Sequence, residues 1–225
     1  MPGPPDVRAL RQSPANPPRP GAWLPLRPAA GRSGLAGWLA ERGSLTARLR
    51  AHCGQFVLLR LGQRAATPHR DETPLLGLPQ GRKAWVREVL LLADGVPVVY
   101  AHSVARTEVL HGAWRLLARI GGKPVGDAVF ARPLTRRGAI EVRHLKPGHP
   151  LQRAACAAAC LPPDTRLWAR RSAFVHAGQA LWVSEVFLPG AAVLRPRGRP
   201  RRRRAALSTA RFSSRSALRP APSRR

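Results

Sequence analysis

The sequence lacks any long run of apolar residues and contains few cysteines. No stretch approaches the ~20 apolar residues that a membrane-spanning helix needs. The N-terminal region has no continuous apolar segment of the kind found in a secretory signal. Three cysteines among 225 residues are an odd number, which argues against a disulfide framework and suits a reducing compartment. We therefore expect a cytoplasmic protein without structural disulfides.

Acidic residues are also scarce. Eleven of them face 39 lysines and arginines, which gives a formal net charge of +28. The excess is uneven, because residues 193–225 hold 12 arginines and no acidic residue. Such a positive field attracts anions of many kinds, including small carboxylates, nucleic acid and acidic lipid. Charge alone therefore predicts an anionic partner without selecting one.

Composition divides the chain into three parts. Residues 1–34 carry nine prolines, which disfavour helix and sheet alike, so we predict a disordered, basic leader. Residues 35–194 have the apolar periodicity of one folded domain, within which the Pro- and Ala-rich segment 146–164 looks inserted. Residues 195–225 cannot bury a core and predict a disordered Arg-rich tail. We expect at most weak contact of this tail with an anionic surface and no obligate nucleic acid.

Two pairs of apolar segments predict β-hairpins. The first pair, 85–105, turns at Asp94-Gly95, which between apolar runs is a strong hairpin signal. The second, 167–188, turns at residues 177–179. Together with short helices, such as one capped by Ser44, these elements predict an α+β fold. We expect a single antiparallel sheet with helices packed on one side.

Strand alternation places one charged side chain on an apolar face of each hairpin. Arg87 shares its face with Val89 and Leu91, and Glu185 shares its face with Phe187. An unpaired charge among apolar groups is costly, so each must meet a partner. The two residues could form a buried structural ion pair. Alternatively, Arg87 could bind a carboxylate ligand while Glu185 accepts or relays a proton.

A possible metal site is weakly indicated. His144 and His149 precede Cys156 and Cys160, but this spacing is a loose match to the paired ligands of zinc sites. An Ala-rich surface helix with two buried thiols explains the cysteines better. We therefore expect no metal site.

Motifs for other enzyme classes are equally weak. Asp94, His102 and Ser103 lack the Gly-x-Ser-x-Gly elbow of a hydrolase. The glycines near residues 121–126 form neither a dinucleotide-binding motif nor a P-loop. We expect no cofactor.

Four blocks of sequence carry a resemblance to a known family. They are Trp85-Val-Arg-Glu-Val-Leu-Leu-Leu-Ala-Asp-Gly-Val-Pro97, Lys123-Pro-Val-Gly126, Trp168-Ala-Arg-Arg-Ser172 and Glu185-Val-Phe-Leu-Pro189. Occurring in this order between about Trp38 and Leu194, they resemble the chorismate pyruvate-lyase family, which opens ubiquinone biosynthesis in proteobacteria. The resemblance implies a cytosolic, cofactor-free lyase that converts chorismate to 4-hydroxybenzoate and pyruvate. It also implies a single antiparallel sheet with helices on one side.

The resemblance further implies the site residues. The family's ligand-binding arginine falls on Arg87 and its acidic residue on Glu185. Its two main-chain N–H contacts fall on Leu45 and Val125. His102 stands where the family has an arginine, and we expect this histidine to lose its charge near neutral pH. We expect the protein to act as a monomer.

Two other classes of function remain open. Effector-binding domains of some bacterial transcription regulators resemble the same fold and bind small ligands without catalysis. They need a DNA-reading domain ahead of them, and residues 1–34 are too short and proline-rich to supply one. A nucleic-acid-binding protein would instead show salt-sensitive binding that disappears when residues 195–225 are removed. We rank the lyase first, the ligand sensor second and the nucleic-acid binder third.

Overall fold

A computed structural model of the protein describes residues 22–26 and 34–195. The strands are β1 (Leu24–Pro25), β2 (Phe56–Ala66), β3 (Ala84–Ala93), β4 (Val96–Ala105), β5 (Arg136–Arg137), β6 (Glu141–Leu145), β7 (Leu167–His176) and β8 (Gln179–Phe187). The helices are α1 (Ala36–Leu39), α2 (Leu45–His52), α3 (Thr73–Leu76), α4 (Arg115–Ala118), α5 (Val125–Phe130), α6 (Pro150–Ala158) and α7 (Pro189–Val193), with a 3₁₀ helix at Thr107–His111. Within the described ranges no helix is both long and apolar enough to cross a membrane.

All strands join one antiparallel sheet in the order β1-β6-β7-β8-β4-β3-β2, with β5 paired to β7. The two predicted hairpins form its centre, because β4 pairs directly with β8. Asp94 and Gly95 turn the first hairpin with φ of 50° and 80°, and Ala177 and Gly178 turn the second with φ of 46° and 72°. Two successive positive φ angles give the turn whose twist matches that of the flanking strands.

One face of the sheet, which we call the front face, carries Val89 and Leu91. Helix α2 packs here, and its Leu45 and Leu49 are buried with those strand residues in one apolar cluster. Ser44 begins the helix as predicted, since its Oγ accepts a hydrogen bond from Ala47 N at 3.2 Å. A second front-face cluster joins the 3₁₀ helix, α4 and α5 to the other end of the hairpins.

The opposite face, which we call the back face, is also covered. Helix α6 buries Leu151 and Ala155 against Leu90 and Tyr100, and α3 packs Leu76 against the neighbouring strand ends. The predicted α+β fold with a single antiparallel sheet is confirmed. The expected one-sided packing holds for the helices on the front face. Helices α3 and α6 are the exception, because the central strands are apolar on both faces and need cover on both.

Helix α6 lies within the segment 146–164 and is part of the back-face core. Cys156 is buried within it, whereas Cys160 just beyond it is exposed. The expectation of two buried thiols is therefore corrected: Cys160 lies past the helix end, with a positive φ of 52°.

Residues 22–26 lie within the predicted leader but form part of the sheet edge. Strand β1 pairs with β6, and Trp23 Nε1 donates a hydrogen bond to Asp71 Oδ2 at 2.8 Å. The Arg171 guanidinium lies over the Trp23 ring at 4.4 Å. This contact anchors the strand, so the expectation of disorder up to residue 34 is corrected for residues 22–26. The rest of the leader and the tail 196–225 lie outside the described residues.

Candidate active site

A pocket opens on the front face where the two hairpins lie side by side. The space open to the centre of a water molecule is about 50 Å³. Its apolar lining includes Leu45, Leu58, Val89, Leu91, Val125, Phe130, Phe174 and Val183. Its polar lining includes Thr46, Arg87, Ser103, Arg137, Arg170 and Glu185. Mostly apolar walls with a few converging polar groups are typical of a small-molecule site.

Arg87 enters the pocket from β3. It is 1% exposed, and its Nη2 donates hydrogen bonds to the carbonyl oxygens of Gly121 and Lys123, both at 2.9 Å. Its Nε is buried without a hydrogen-bond partner among the described residues. Burial, with Arg60 nearby, lowers the pKa of Arg87 to about 10, so the side chain stays charged at neutral pH. A buried, charged guanidinium with a free N–H group can bind an anionic ligand.

Glu185 enters from β8 and pairs with an arginine that sequence reasoning missed. Arg170 Nε on β7 donates to Glu185 Oε2 at 2.5 Å. Arg170 Nη1 donates to the carbonyl oxygens of Trp38 and Glu41, at 2.9 and 2.7 Å. Arg170 is fully buried, and its Nη2 has no hydrogen-bond partner within the described chain. This network fixes the direction in which the Glu185 carboxylate points.

Arg137, on the short strand β5, is a second missed residue. Its Nε donates to Ser172 Oγ at 2.9 Å, and its Nη1 donates to the carbonyl oxygen of Arg42 at 2.9 Å. The guanidinium lies over the Phe174 ring at 5.2 Å. Burial, followed by the charge of Arg170, lowers the pKa of Arg137 to about 10. Within the part of the chain that the structure describes, three arginines and one carboxylate therefore line the pocket.

Helices α2 and α5 cover the pocket and bring two main-chain N–H groups to it. Leu45 is the first residue of α2 and Val125 the first residue of α5. The first N–H groups of a helix have no acceptor inside that helix, so both can serve a ligand. An ion pair between Arg50 and Asp127, at 2.9 Å, links the two helices.

The four predicted site residues thus line one pocket: Leu45, Arg87, Val125 and Glu185. Arg87 and Glu185 are not bonded to each other, since Arg87 binds main-chain carbonyls and Glu185 binds Arg170. The alternative of a direct structural ion pair between them does not hold. The sequence did contain a signal for the missed arginine on β7. Consecutive strand residues face opposite sides, so one member of the pair Arg170–Arg171 had to face the front.

The back face holds a different set of charges behind the pocket. Nε2 of His102 lies 3.2 Å from Glu72 Oε1, and its Nδ1 lies 3.7 Å from Glu88 Oε1. Although burial alone would lower it, pairing with these carboxylates raises the pKa of His102 to about 9. The expectation that His102 would be neutral near pH 7 is corrected. Sequence reasoning did not find Glu72, which lies 30 residues away, just before α3.

Three side chains on this back face are close enough together to suggest a metal site: His69, Glu72 and His102. The rings of His69 and His102 are stacked, 4.7 Å apart and within 12° of parallel. Nitrogen lone pairs lie in the ring plane, so nearly parallel rings cannot both point at one ion. An ion-pair network accounts for this group. His144, His149, Cys156 and Cys160 form no such group in the described part of the chain.

Ser103 and His102 point to opposite faces of β4, since Ser103 lines the front-face pocket and His102 pairs with back-face carboxylates. Asp94 lies in the hairpin turn, where its Oδ1 accepts a hydrogen bond from Gln55 N at 2.7 Å. These three residues therefore form no hydrolase triad.

Comparison with known proteins identifies the family. A family model described as chorismate lyase matches residues 29–195. The chain belongs to the chorismate lyase family. A probable chorismate pyruvate-lyase of Aromatoleum aromaticum is 47% identical over 174 residues, which cover 77% of this chain and 89% of that relative. A probable chorismate pyruvate-lyase of Thiobacillus denitrificans is 46% identical over 167 residues, covering 74% of this chain and 88% of the relative.

Two of the solved structures that this chain resembles are distant in sequence. The effector domain of PhnF from Mycobacterium smegmatis is 14% identical with a TM-score of 0.48, covering 66% of this chain and 90% of that one. The gene product SA0254 from Staphylococcus aureus is 12% identical with a TM-score of 0.49, covering 71% and 96%. At these scores the likeness carries no argument about function.

Proposed function

We infer that this chain is a lyase that removes pyruvate from chorismate to give 4-hydroxybenzoate, the first step toward ubiquinone. The observation that carries the inference is a front-face pocket whose described lining has three arginines but one carboxylate, in a chain of the chorismate lyase family. Chorismate carries two carboxylates, which suits an excess of positive charge in an otherwise apolar pocket.

Arg87 binds the ring carboxylate of chorismate in this proposal. Its Nε is buried and free of protein partners among the described residues, and its Nη2 bonds hold the guanidinium in place. The main-chain N–H groups of Leu45 and Val125 complete the site, since neither has an acceptor within its helix. Charged hydrogen bonds of this kind both orient and bind a carboxylate.

Glu185 meets the other end of the ring. With the ring carboxylate at Arg87, the hydroxyl para to it extends toward Glu185, where the carboxylate can accept its hydrogen bond and assist proton movement. The bond from the ring carbon to the enolpyruvyl oxygen breaks, and the adjacent ring carbon loses its proton. The electrons of that C–H bond complete the aromatic ring, and the released enolpyruvate takes up a proton to become pyruvate.

This elimination balances without an oxidant or a reductant, so we expect no cofactor. Because forming the aromatic ring drives the reaction, the protein contributes mainly position, matched charge and exclusion of water. We also propose that the protein acts as a monomer. A cytoplasmic location is proposed from the sequence alone.

Incubation of the purified protein with chorismate tests this function. We expect 4-hydroxybenzoate and pyruvate to appear in equal amounts, far faster than in buffer. Binding of chorismate without turnover would contradict the lyase and favour a ligand sensor instead. Turnover that yields pyruvate without 4-hydroxybenzoate would contradict the reaction proposed.

A further inference from the structure

The pocket contains more arginine N–H groups than its own acid can pair. Glu185 is the one acidic residue among the described residues that line the pocket, and Arg170 already binds it. Arg87 Nε and Arg170 Nη2 are buried without partners among residues 22–26 and 34–195. Arg137 donates through Nε and Nη1, while its Nη2 has no hydrogen bond to the described chain. Such a pocket suits a ligand with more than one anionic group.

Arg87 and Arg137 stand at opposite ends of one row of front-face residues. The strand register aligns Arg87 with Ser103, then Ser103 with Val183, and then Val183 with Ser172. Arg137 reaches the far end of this row through its hydrogen bond to Ser172 Oγ. Since neighbouring strands are about 4.8 Å apart, the two guanidinium groups approach the pocket from opposite sides.

Glu185 lies between these two arginines. It is in the adjacent row of the same face, where the register aligns it with Ala101 on one side and Arg170 on the other. Suppose that Arg87 binds the ring carboxylate and Glu185 binds the para hydroxyl. The ring carbon next to the hydroxyl carries the enolpyruvyl group, which then points toward one of the pocket walls. Arg137 is the cation on the wall opposite Arg87.

We propose that Arg137 binds the carboxylate of the enolpyruvyl side chain and so distinguishes the dicarboxylate substrate from the monocarboxylate product. This inference rests on the function proposed above. The side chain is held in place before any ligand arrives, by Ser172 Oγ and by main-chain carbonyls at residues 41–43. Because Nε and Nη1 of the guanidinium are held by these acceptors, its remaining N–H groups are left to bind a ligand in the pocket.

The same placement assists bond cleavage. As the ether bond breaks, negative charge grows on the enolpyruvate oxygen, and a fixed cation beside it stabilises that charge. After the reaction Arg137 retains only pyruvate, while Arg87 retains 4-hydroxybenzoate. Substrate and product therefore differ in their dependence on Arg137 but not in their dependence on Arg87.

Arg137→Gln tests the proposal through two measurements on one protein. We expect kcat/KM for chorismate to fall roughly 10- to 100-fold, as for loss of a charged hydrogen bond. The Kd for 4-hydroxybenzoate should change less than about threefold, because the product has no second carboxylate. The matched control is Arg136→Gln. Arg136 is the preceding residue on β5 and is exposed, and the variant should match the parent protein in both measurements.

Other outcomes overturn the proposal. An equal loss of chorismate turnover and product affinity would show that Arg137 merely positions the segment 41–43. Unchanged kcat/KM would show that Arg137 does not meet the substrate. A parent protein that does not turn over chorismate would instead defeat the proposed function, before any variant is made.

Ser172→Ala is a second test that does not depend on the folding of the Arg137 variant. It removes only the hydroxyl that orients Arg137 Nε. We expect KM for chorismate to rise a few-fold while the Kd for 4-hydroxybenzoate stays the same. No change in KM for chorismate, or a parallel change in KM and in the Kd for 4-hydroxybenzoate, would show that Arg137 does not bind the second carboxylate.

Discussion

The two faces of the central sheet treat buried charge in different ways. On the front face the described pocket lining has three arginines and one glutamate; the glutamate forms its ion pair with Arg170, and Arg87 and Arg137 form no ion pair within the described chain. On the back face cations and carboxylates are interleaved in ion pairs; they are His69, His102, Arg64, Arg143 and Arg171 with Asp71, Glu72, Glu88 and Glu141. The same strands separate the two sets.

This difference indicates two roles for buried charge in one sheet. Back-face charges are paired with opposite charges, although His69 Nδ1, Glu72 Oε1, His102 Nδ1 and Arg171 Nη1 are buried without a hydrogen bond in the described chain. Removing one of these charges leaves another buried without its counter-charge and lowers stability. Front-face arginines are satisfied only in part, an arrangement that suits an incoming anion at some cost in stability. Consecutive residues on β7 belong to the two different sets. Arg170 pairs with Glu185 on the front face, and Arg171 pairs with Glu141 on the back face.

Glu185→Gln should have the largest effect. The amide keeps the size of the side chain but cannot accept a proton, and placed proton transfer contributes roughly 10²- to 10⁴-fold. We expect kcat for chorismate to fall by up to about that factor. The thermal unfolding midpoint should also fall, because the change leaves the buried Arg170 without its carboxylate. Steady-state assays of product formation measure the first and calorimetry the second.

Glu141→Gln is the matched control for this variant. Arg171 Nε lies 2.6 Å from Glu141 Oε2, and Arg170 Nε lies 2.5 Å from Glu185 Oε2. Only the second pair lines the pocket. Full activity of the Glu185 variant, or an equal loss in the Glu141 variant, would remove Glu185 from the mechanism.

His102→Gln should act on stability and leave activity unchanged. Because the folded pKa is raised from 6.5 to about 9, the stabilisation is complete below pH 6.5. It is lost as the pH rises toward 9. Breaking a buried pair of this kind costs about 3 kcal/mol, and the same figure follows from a pKa shift of this size.

Denaturant titrations at several pH values measure this effect. The parent protein should lose stability between pH 6.5 and 9, and the His102 variant should lose less of it over that range. At pH 5.5 the variant should be the less stable of the two by about 3 kcal/mol. A variant with unchanged stability at pH 5.5 would show that His102 is neutral in the folded protein.

Arg87→Gln should reduce binding of substrate and product alike. Both carry the ring carboxylate, and loss of a charged hydrogen bond costs roughly 1.5–3 kcal/mol, or about 10- to 100-fold. We expect a higher KM, a lower kcat and a weaker Kd for 4-hydroxybenzoate, measured by enzyme assay and by titration calorimetry. Unchanged product affinity would show that Arg87 does not hold the ring carboxylate.

Much of this arrangement follows from local sequence patterns. Two-residue turns fix the hairpins, and strand alternation places Arg87 and Glu185 each on an apolar face of its own strand. The pairing of β4 with β8 then brings the two residues onto one face of the sheet. Local rules also explain the start of α2 at Ser44. These features depend on residues close together in the chain, which is why sequence reasoning reached them.

The remaining parts of the site depend on contacts between distant segments. Arg137 lies on a two-residue strand without a periodic pattern, and its acceptors at residues 41–43 are about 95 positions away in the chain. In a sequence with 39 lysines and arginines, residue type alone could not single it out. The charge of His102 likewise depends on Glu72, which a separate helix turn brings to the back face.

Tyr100→Phe should have the smallest effect and sharpen the contrast between the faces. The Tyr100 hydroxyl donates to Glu88 Oε1 at 2.8 Å on the back face, and Glu88 keeps Arg64 and His102 as partners. Loss of this one hydrogen bond should lower the free energy of unfolding by about 1 kcal/mol and leave kcat/KM for chorismate unchanged. Denaturant titration and steady-state assay of the same preparation measure both quantities. A tenfold loss of activity at unchanged stability would mean that the back face takes part in the reaction. Tyr100 lies on the back face, so its effect on the pocket would have to pass through the β4 backbone.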